Sequence, residues 1–463
     1  MRILAGSRAV SCVMRTVGQM KRTNLHDRLG EHVLTSGMDE IELDLQGSVT
    51  PYVRDARTGE DWLDFASFYA SSALGMNHPV LREDRGFLDR LLTAAVNKPA
   101  NSDFVSREFV EFVETFARVL GDPELPHYFF IEGGSAAVEN ALKVAFDWKQ
   151  KRNRDRDLPA GLGAQVLHLE HAFHGRGGYT LSLTNTDPVK VAGFPKFGWP
   201  RIPAPAQTHP LPPETALELD RAEESAVAAA RSYFLAHPGD IACFIAEPIQ
   251  GEGGDRHLRP RFLQAIQELC REFDALFILD EVQTGCGLTG SAWAYQQLGL
   301  EPDIVVFGKK VQVCGLMAGR RVDLVEDNVF RVPSRINSTW GGNLTDMVRA
   351  RRILEIVETD GLVTNAAKVG GHLLSGLRDL ADEFPGLVLN PRGRGLMCAL
   401  SLPSLTLRNE VLAGLASHRI LILGCGENSI RFRPPLCVDA AAVDITLTAL
   451  RSVLAGLGPD RRA

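Results

Sequence analysis

Residues 276–281 read Leu-Phe-Ile-Leu-Asp-Glu, and residues 304–310 repeat the device as Ile-Val-Val-Phe-Gly-Lys-Lys. Each is a short apolar run that passes straight into charge. That is the pattern of a strand buried on both faces, with its polar residues at the carboxyl end. The same pattern extends outward. HYFFI at His127–Ile131, QVLHL at Gln165–Leu169 and IACFIA at Ile241–Ala246 read as three more such strands. Helices are expected between them, at 136–148 and 261–273. The alternation predicts an α/β body, with a mixed, mostly parallel sheet covered on both faces. After about residue 345 the pattern changes. A helix over 344–357 leads into a helix-rich region with a Gly-rich strand near 392–402 and the run Ser429-Ile-Arg-Phe-Arg-Pro-Pro-Leu436. This second region reads as a smaller α+β domain.

The expected division is a disordered basic tail over 1–24, a segment over 25–95 joining the small domain, a large domain over 96–345 and a small domain over 346–463. The proline-rich stretch 202–215 (IPAPAQTHPLPPET) forbids a continuous helix or a central strand. It reads as a surface excursion within the large domain.

Composition narrows the function classes. The chain has 463 residues, 45% hydrophobic and 23% charged, with a formal net charge of −7. That apolar content excludes a mostly disordered chain. The negative balance argues against a general nucleic-acid binder. No stretch reaches the roughly 18 uninterrupted apolar residues of a membrane-spanning helix. The eight cysteines form no C-x-x-C pair and are expected to be reduced. The N-terminus carries Arg2, Arg8, Arg15, Lys21 and Arg22 with no acid before Asp27, which fits a transit peptide or a frayed tail. Forty of the 50 basic residues are arginine, a bias of GC-rich bacterial genomes, so a cytoplasmic location is expected.

In open parallel sheets, ligands bind beyond the carboxyl ends of the strands. Those ends carry Gly133-Gly134-Ser135, His171-Ala-Phe173-His-Gly-Arg176, Glu247-Pro-Ile-Gln-Gly-Glu252, Asp280-Glu-Val-Gln283 and Gly308-Lys309. A Gly-Gly-Ser turn before a helix suits a phosphate, or is an ordinary capped turn. Asp280 is expected to be buried, and so to need an arginine or a cation such as a protonated ring nitrogen. Lys309, at the mouth of a buried strand, would have a depressed pKa and attack carbonyls. Taken alone, Lys309 and Lys310 read as well as solvated strand-end lysines. Arg176 and Arg431 each suit a substrate carboxylate or a surface ion pair.

Three other motifs fail on context. Gly285-Cys-Gly287-Leu-Thr-Gly290 fits a dinucleotide fingerprint, but two acids stand before it and no acid follows at a ribose position. Gly308-Lys309 lacks the upstream glycine of a phosphate-binding loop. His168, His171 and His174 lack a carboxylate pair to complete a metal set, so no metal is expected.

The strand-end motifs Gly-Gly-Ser, Phe-His-Gly-Arg, Glu-Pro-Ile-Gln-Gly-Glu-Gly-Gly, Leu-Asp-Glu-Val-Gln-Thr-Gly and Phe-Gly-Lys-Lys resemble, in order and spacing, those of class III pyridoxal-phosphate aminotransferases. The resemblance covers nearly all of the chain from about residue 25. It implies the fold type I of pyridoxal-phosphate-dependent transferases and a homodimer with shared active sites. It also implies residue roles. Lys309 would form the Schiff base, with Lys310 the fallback. Asp280 would pair with the pyridine nitrogen, Gln283 with the phenolic oxygen, and Phe173 would stack on the ring. Gly134 and Ser135 would hold the phosphate, joined by Thr339 from the neighbouring subunit. Arg431 would bind the α-carboxylate of 2-oxoglutarate or glutamate, and Glu252 would cover Arg431 when an ω-amine enters. Arg176 would take the distal carboxylate, and Asn337 joins the substrate-binding set.

Within the family, residues 71–77, 97–103, 307–315 and 337–343 are similar to members that take the terminal amine of L-lysine. Two other readings stay open at this point. One is another ω-aminotransferase, acting on ornithine or 4-aminobutyrate. The other is a catalytically inactive homologue, against which the presence of Lys309, Asp280 and Arg431 counts.

Overall fold

Seven strands form the central sheet of a computed structural model that describes residues 24–457. In chain order they are β1 (His127–Ile131), β2 (Gln165–Leu169), β3 (Arg201–Ile202), β4 (Ile241–Ala246), β5 (Leu276–Asp280), β6 (Ile304–Phe307) and β7 (Cys314–Ala318). Their spatial order is β1-β7-β6-β5-β4-β2-β3. The pairs β6–β5, β5–β4, β4–β2 and β2–β3 are parallel, whereas β7 is antiparallel to both of its neighbours. Residues of β4, β5 and β6 are buried throughout, as their continuous apolar runs require. Strand β7 was not expected. Its Cys-Gly-Leu-Met-Ala run lacks the β-branched and aromatic residues that mark a strand. The chain reverses into it through Gln312, which adopts a left-handed conformation with φ 67°.

Helices cover the sheet. The expected 136–148 helix is longer and forms α1 (Gly134–Arg154). It starts two residues earlier because Gly133, at φ 95°, turns the chain into it directly. The expected 261–273 helix is α2 (Pro260–Glu272), with proline at its first turn. A short helix, α3 (Ala294–Leu298), follows β5. The proline-rich excursion ends where a long helix, Pro213–Ala236, begins.

The later region is built on a four-stranded sheet of β8 (Leu389–Arg394), β9 (Met397–Ser401), β10 (Leu423–Cys425) and β11 (Ser429–Phe432), ordered β8-β9-β11-β10. The Gly-rich segment expected as one strand is therefore a hairpin. Arg394 pairs with Met397, and Gly395, at φ 52°, supplies the turn. Two helices, α4 (Leu344–Thr359) and α5 (Leu362–Glu383), join this region to the central sheet. Leu344, Met347 and Leu354 of α4 pack in the core beneath the central sheet, and Ile353, Ile356 and Val357 pack in the core of the second. Residues Leu63, Phe65, Ala70 and Leu74 also belong to that second core, whereas Phe87 and Ala94 belong to the first.

The basic tail expected over 1–24 lies, apart from Asn24, outside the described residues, as do residues 458–463. Among the described residues seven cysteines are free, and no helix is long and apolar enough to cross a membrane.

Helix α5 meets the β8–β9 hairpin backbone to backbone. A Cβ at Gly370 would fall 2.0 Å from the carbonyl carbon and oxygen of Gly395. Gly370→Ala must push the two elements apart and should lower stability by about 1–3 kcal/mol, read as a fall in the thermal midpoint. An unchanged melting curve would show that the contact is not tight.

Candidate active site

The carboxyl ends of β1, β2, β4, β5 and β6 converge on a cavity of about 220 Å³. Its lining includes Gly134, Ser135, Phe173, Glu247, Asp280, Gln283 and Lys309. Six of the residues expected for a cofactor, namely Gly134, Ser135, Phe173, Asp280, Gln283 and Lys309, thus share one pocket. The sheet geometry explains this. Five parallel-running strands end on the same side, and the loops that follow them fold over the same edge.

Lys309 and Lys310 separate cleanly. Lys310 is 1% exposed, and its Nζ donates to the carbonyl oxygens of Ser72 (2.7 Å) and Pro434 (3.3 Å). It ties two distant segments together and faces away from the cavity lining. Lys309 lines the cavity, and its backbone is held at φ 47°, the left-handed region that an unconstrained lysine avoids. Burial, followed by the charges of Arg431 and Arg433, lowers the Lys309 amine from 10.5 to about 8; Glu247 and Asp280 pull weakly the other way.

Asp280 is 5% exposed. Its Oδ1 accepts from the Val282 N–H (3.1 Å), and its Oδ2 pairs with Nδ1 of the buried His174 (2.8 Å). The sequence alone assigns His174 no role beyond failing to complete a metal set. The partner that a buried Asp280 is expected to need is thus supplied in part by the histidine of Phe-His-Gly-Arg. Glu247, also passed over, braces the floor of the cavity. Its Oε1 accepts from the Phe173 N–H (3.0 Å) and its Oε2 from the Gly251 N–H (3.1 Å). Burial, reinforced by the charge on Asp280, raises its carboxyl to about 7, although His174 and the two N–H donors oppose this. The neighbour of Asp280, Glu281, has a structural task. It accepts from the Ala294 N–H (3.0 Å) and the Tyr295 N–H (2.8 Å), capping α3, and burial lifts it to about 7.

Gln283 is fixed by the Arg433 Nε–H, which donates to its Oε1 (3.2 Å). A Cβ on Gly251 would sit 2.3 Å from that same oxygen, so glycine there leaves Gln283 its place. Ser135 and Thr180 share a hydrogen bond between hydroxyls (2.7 Å), and the Gly177 N–H donates to Ser135 Oγ (3.1 Å).

Beside this cavity, Glu252 bridges two cations. Its Oε2 pairs with Arg431 Nη2 (3.1 Å), and its Oε1 accepts from Lys190 Nζ (2.6 Å). Burial would raise the Glu252 carboxyl, but Arg431 and Lys190 outweigh it and hold the group below its ordinary value. Arg176, Asn337 and Thr339 are exposed and do not line the cavity within one chain. Thr339 meets the rest of the fold through its carbonyl, which accepts from Ser102 Oγ (3.0 Å). His168 is buried beside Arg201, and burial lowers its pKa to about 3. Among the described residues no cluster of His, Cys, Asp or Glu is arranged to hold a metal ion.

The family model of class-III aminotransferases matches residues 35–454. The chain belongs to this family. An L-lysine-epsilon aminotransferase of Mycobacterium tuberculosis is 59% identical to it over 93% of this chain and 95% of that protein. The lysine aminotransferase of M. tuberculosis in the internal aldimine form superposes with a TM-score of 0.91, over 93% of this chain and 98% of that one. An L-lysine-epsilon aminotransferase of Amycolatopsis lactamdurans is 56% identical over 94% of this chain and 96% of its own. A probable mitochondrial 4-aminobutyrate aminotransferase of Caenorhabditis elegans is 32% identical over 90% of this chain and 88% of its own.

The cofactor of the family is pyridoxal 5′-phosphate, and the cavity suits it. The free N–H groups at the start of α1 favour a phosphate. The buried Asp280 favours a cationic ring nitrogen. The Lys309 amine, with its lowered pKa, favours an aldehyde.

Lys310→Met strips two buried carbonyls of their donor and should cost about 1–3 kcal/mol in unfolding. Lys309→Met should leave the melt nearly unchanged and abolish borohydride-stable labelling by the cofactor; labelling of Lys310 instead would reverse the assignment. Because the neutral amine is the reactive form, capture of pyridoxal phosphate by apoenzyme should rise with pH through an inflection near 8, and not near 10.5.

Proposed function

We propose that this chain moves the ε-amino group of L-lysine to 2-oxoglutarate in ping-pong order. The products are L-glutamate and 2-aminoadipate 6-semialdehyde, which cyclises to piperideine-6-carboxylate. The observation that carries this reading is the Glu252–Arg431 pair beside the Lys309 cavity. One site has to accept a long aliphatic amine and then a dicarboxylate. A bare Arg431, 3% exposed, would be an uncompensated buried charge beside the amine, costing several kcal/mol. A carboxylate that covers Arg431 for the amine and leaves it for the dicarboxylate removes that cost in both halves. The high identity to lysine-acting relatives, against the lower identity to a 4-aminobutyrate enzyme, supports L-lysine as the amine.

When bound, the cofactor supplies an aldehyde that carries the amino group and a ring that accepts electrons. The chain's residues do the rest. Asp280, held by His174 and the Val282 N–H, would keep the ring nitrogen cationic. Gly134 and Ser135 would hold the phosphate at the start of α1, and Gln283 would donate toward the phenolic oxygen. Phe173, fixed through its own N–H, would cover one face of the ring. Lys309 Nζ would hold the cofactor's aldehyde, and its amine is the base in the cavity that would move a proton at the carbon bearing the reacting amine. Arg431 takes the α-carboxylate of 2-oxoglutarate. Thr339, Asn337 and Arg176 are exposed in one chain, and we assign them to a homodimer whose second subunit completes the phosphate and substrate sites. The protein is proposed to work in the cytoplasm on small-molecule substrates.

Purified holoenzyme with L-lysine and 2-oxoglutarate should form the cyclic imine. Its kcat/KM for L-lysine should exceed those for ornithine and 4-aminobutyrate by at least about tenfold, since each methylene is worth roughly 1–3 kcal/mol in such a pocket. A preference for either shorter amine would overturn the substrate assignment.

A further inference from the structure

Glu252 has a second partner that the exchange of substrates has to take into account. Lys190 closes a short turn, Pro188–Lys190, whose backbone is pinned by Asp187: the Val189 N–H donates to Asp187 Oδ1 (3.0 Å) and the Lys190 N–H to Asp187 O (3.1 Å). From this fixed base Lys190 Nζ reaches two places. It donates to Glu252 Oε1 at 2.6 Å, and it stands 5.6 Å from the centroid of the Phe173 ring. The two oxygens of Glu252 are thus divided between a cation that the substrate must take over, Arg431, and one that it need not.

The division has a mechanical consequence. When a substrate carboxylate arrives at Arg431, Glu252 must let go through Oε2 and still be neutralised. A carboxylate only 28% exposed has little water to fall back on. Lys190 already holds Oε1, so Glu252 gives up one bond and keeps the other. There is room for the movement. Glu252 and Lys190 both line a second cavity, of about 800 Å³, together with His171, Asp187 and Arg256. Three arginines also line that space and each is committed to backbone carbonyls: Arg256 to Ala204 (2.7 Å), Arg392 to Asp255 and Gly254 (2.6 Å each), and Arg408 to Gly426 (3.2 Å) and Glu427 (3.1 Å).

We propose that Lys190 is the resting partner of Glu252, a positioning residue that holds the carboxylate off Arg431 and so sets how readily the dicarboxylate is admitted. The proposal rests on the reading of Glu252 given above. Removing the Lys190 charge weakens Glu252 in both positions, but more in the one where Lys190 is its sole partner. The balance therefore shifts toward the Arg431-bound, amine-accepting arrangement.

The test is to measure the two half-reactions separately on holoenzyme, by stopped-flow absorbance with L-lysine and then with 2-oxoglutarate. In Lys190→Met, kcat/KM for 2-oxoglutarate should fall about tenfold and that for L-lysine less than about threefold. Lys190→Arg should restore the first to within about threefold. In a Glu252→Ala background, where Arg431 is never covered, Lys190→Met should add no further asymmetry. Equal losses in both half-reactions would overturn the proposal, as would the same asymmetry without Glu252. If the wild-type protein responds to a different amine, the substrate assignment fails. The same ratio, read with that amine, still decides the role of Lys190.

Discussion

A carboxylate placed at the end of a buried strand must be given donors, and Asp280 shows how the rest of the site is arranged to meet that demand. The strand supplies no donor of its own beyond its edge, so one oxygen takes the Val282 N–H and the other takes His174 from the neighbouring loop. That second bond fixes the path of the loop on which Phe173 sits. Glu247 then holds the Phe173 and Gly251 N–H groups. Two buried carboxylates, Asp280 and Glu247, thereby fix the loop that carries Phe173 and the glycine beside Gln283.

The electrostatics of the cavity are a balance between few terms. Lys309 lies in the fields of Arg431 and Arg433, which oppose its charge, and of Glu247 and Asp280, which favour it; burial tips the outcome toward the neutral amine. Glu281 stands one residue from Asp280 yet takes no part, because its carboxylate is consumed by the N–H groups at the start of α3. Lys310 likewise stands one residue from Lys309 and is fully engaged by two carbonyls. In both pairs one residue faces the cavity and its neighbour secures the backbone that presents it.

How much of this was legible in the sequence depended on distance along the chain. Strands β1, β2, β4 and β6 fall on the predicted residues, because a continuous apolar run bounded by polar residues is a local signal. The residues at their ends were legible for the same reason. Strand β7 was not, since small residues carry no strand signature and its place between β1 and β6 is set by pairing. The hairpin at 389–401 reads from sequence as one Gly-rich strand, because the turn at Gly395 is set by the pairing of Arg394 with Met397 and not by a local turn motif. His174 and Lys190 were missed because their meaning lies in partners 106 and 62 residues away. No local pattern announces such a meeting. Asn337 and Thr339 rest on resemblance and Arg176 on its strand-end motif as well, and a single chain leaves all three at its surface.

The two hydrogen bonds of Lys310 have a bearing on how the protein is made. Their acceptors, Ser72 and Pro434, lie near opposite ends of the chain. Until the last segment has emerged and docked, that ammonium group sits without its second acceptor, and the bend presenting the neighbouring amine is not locked. The clasp beside Lys309 therefore closes only when both distant segments are in place. A chain cut short before the Ser429–Phe432 strand would have the residues of the cavity without the clasp that holds its lysine in position.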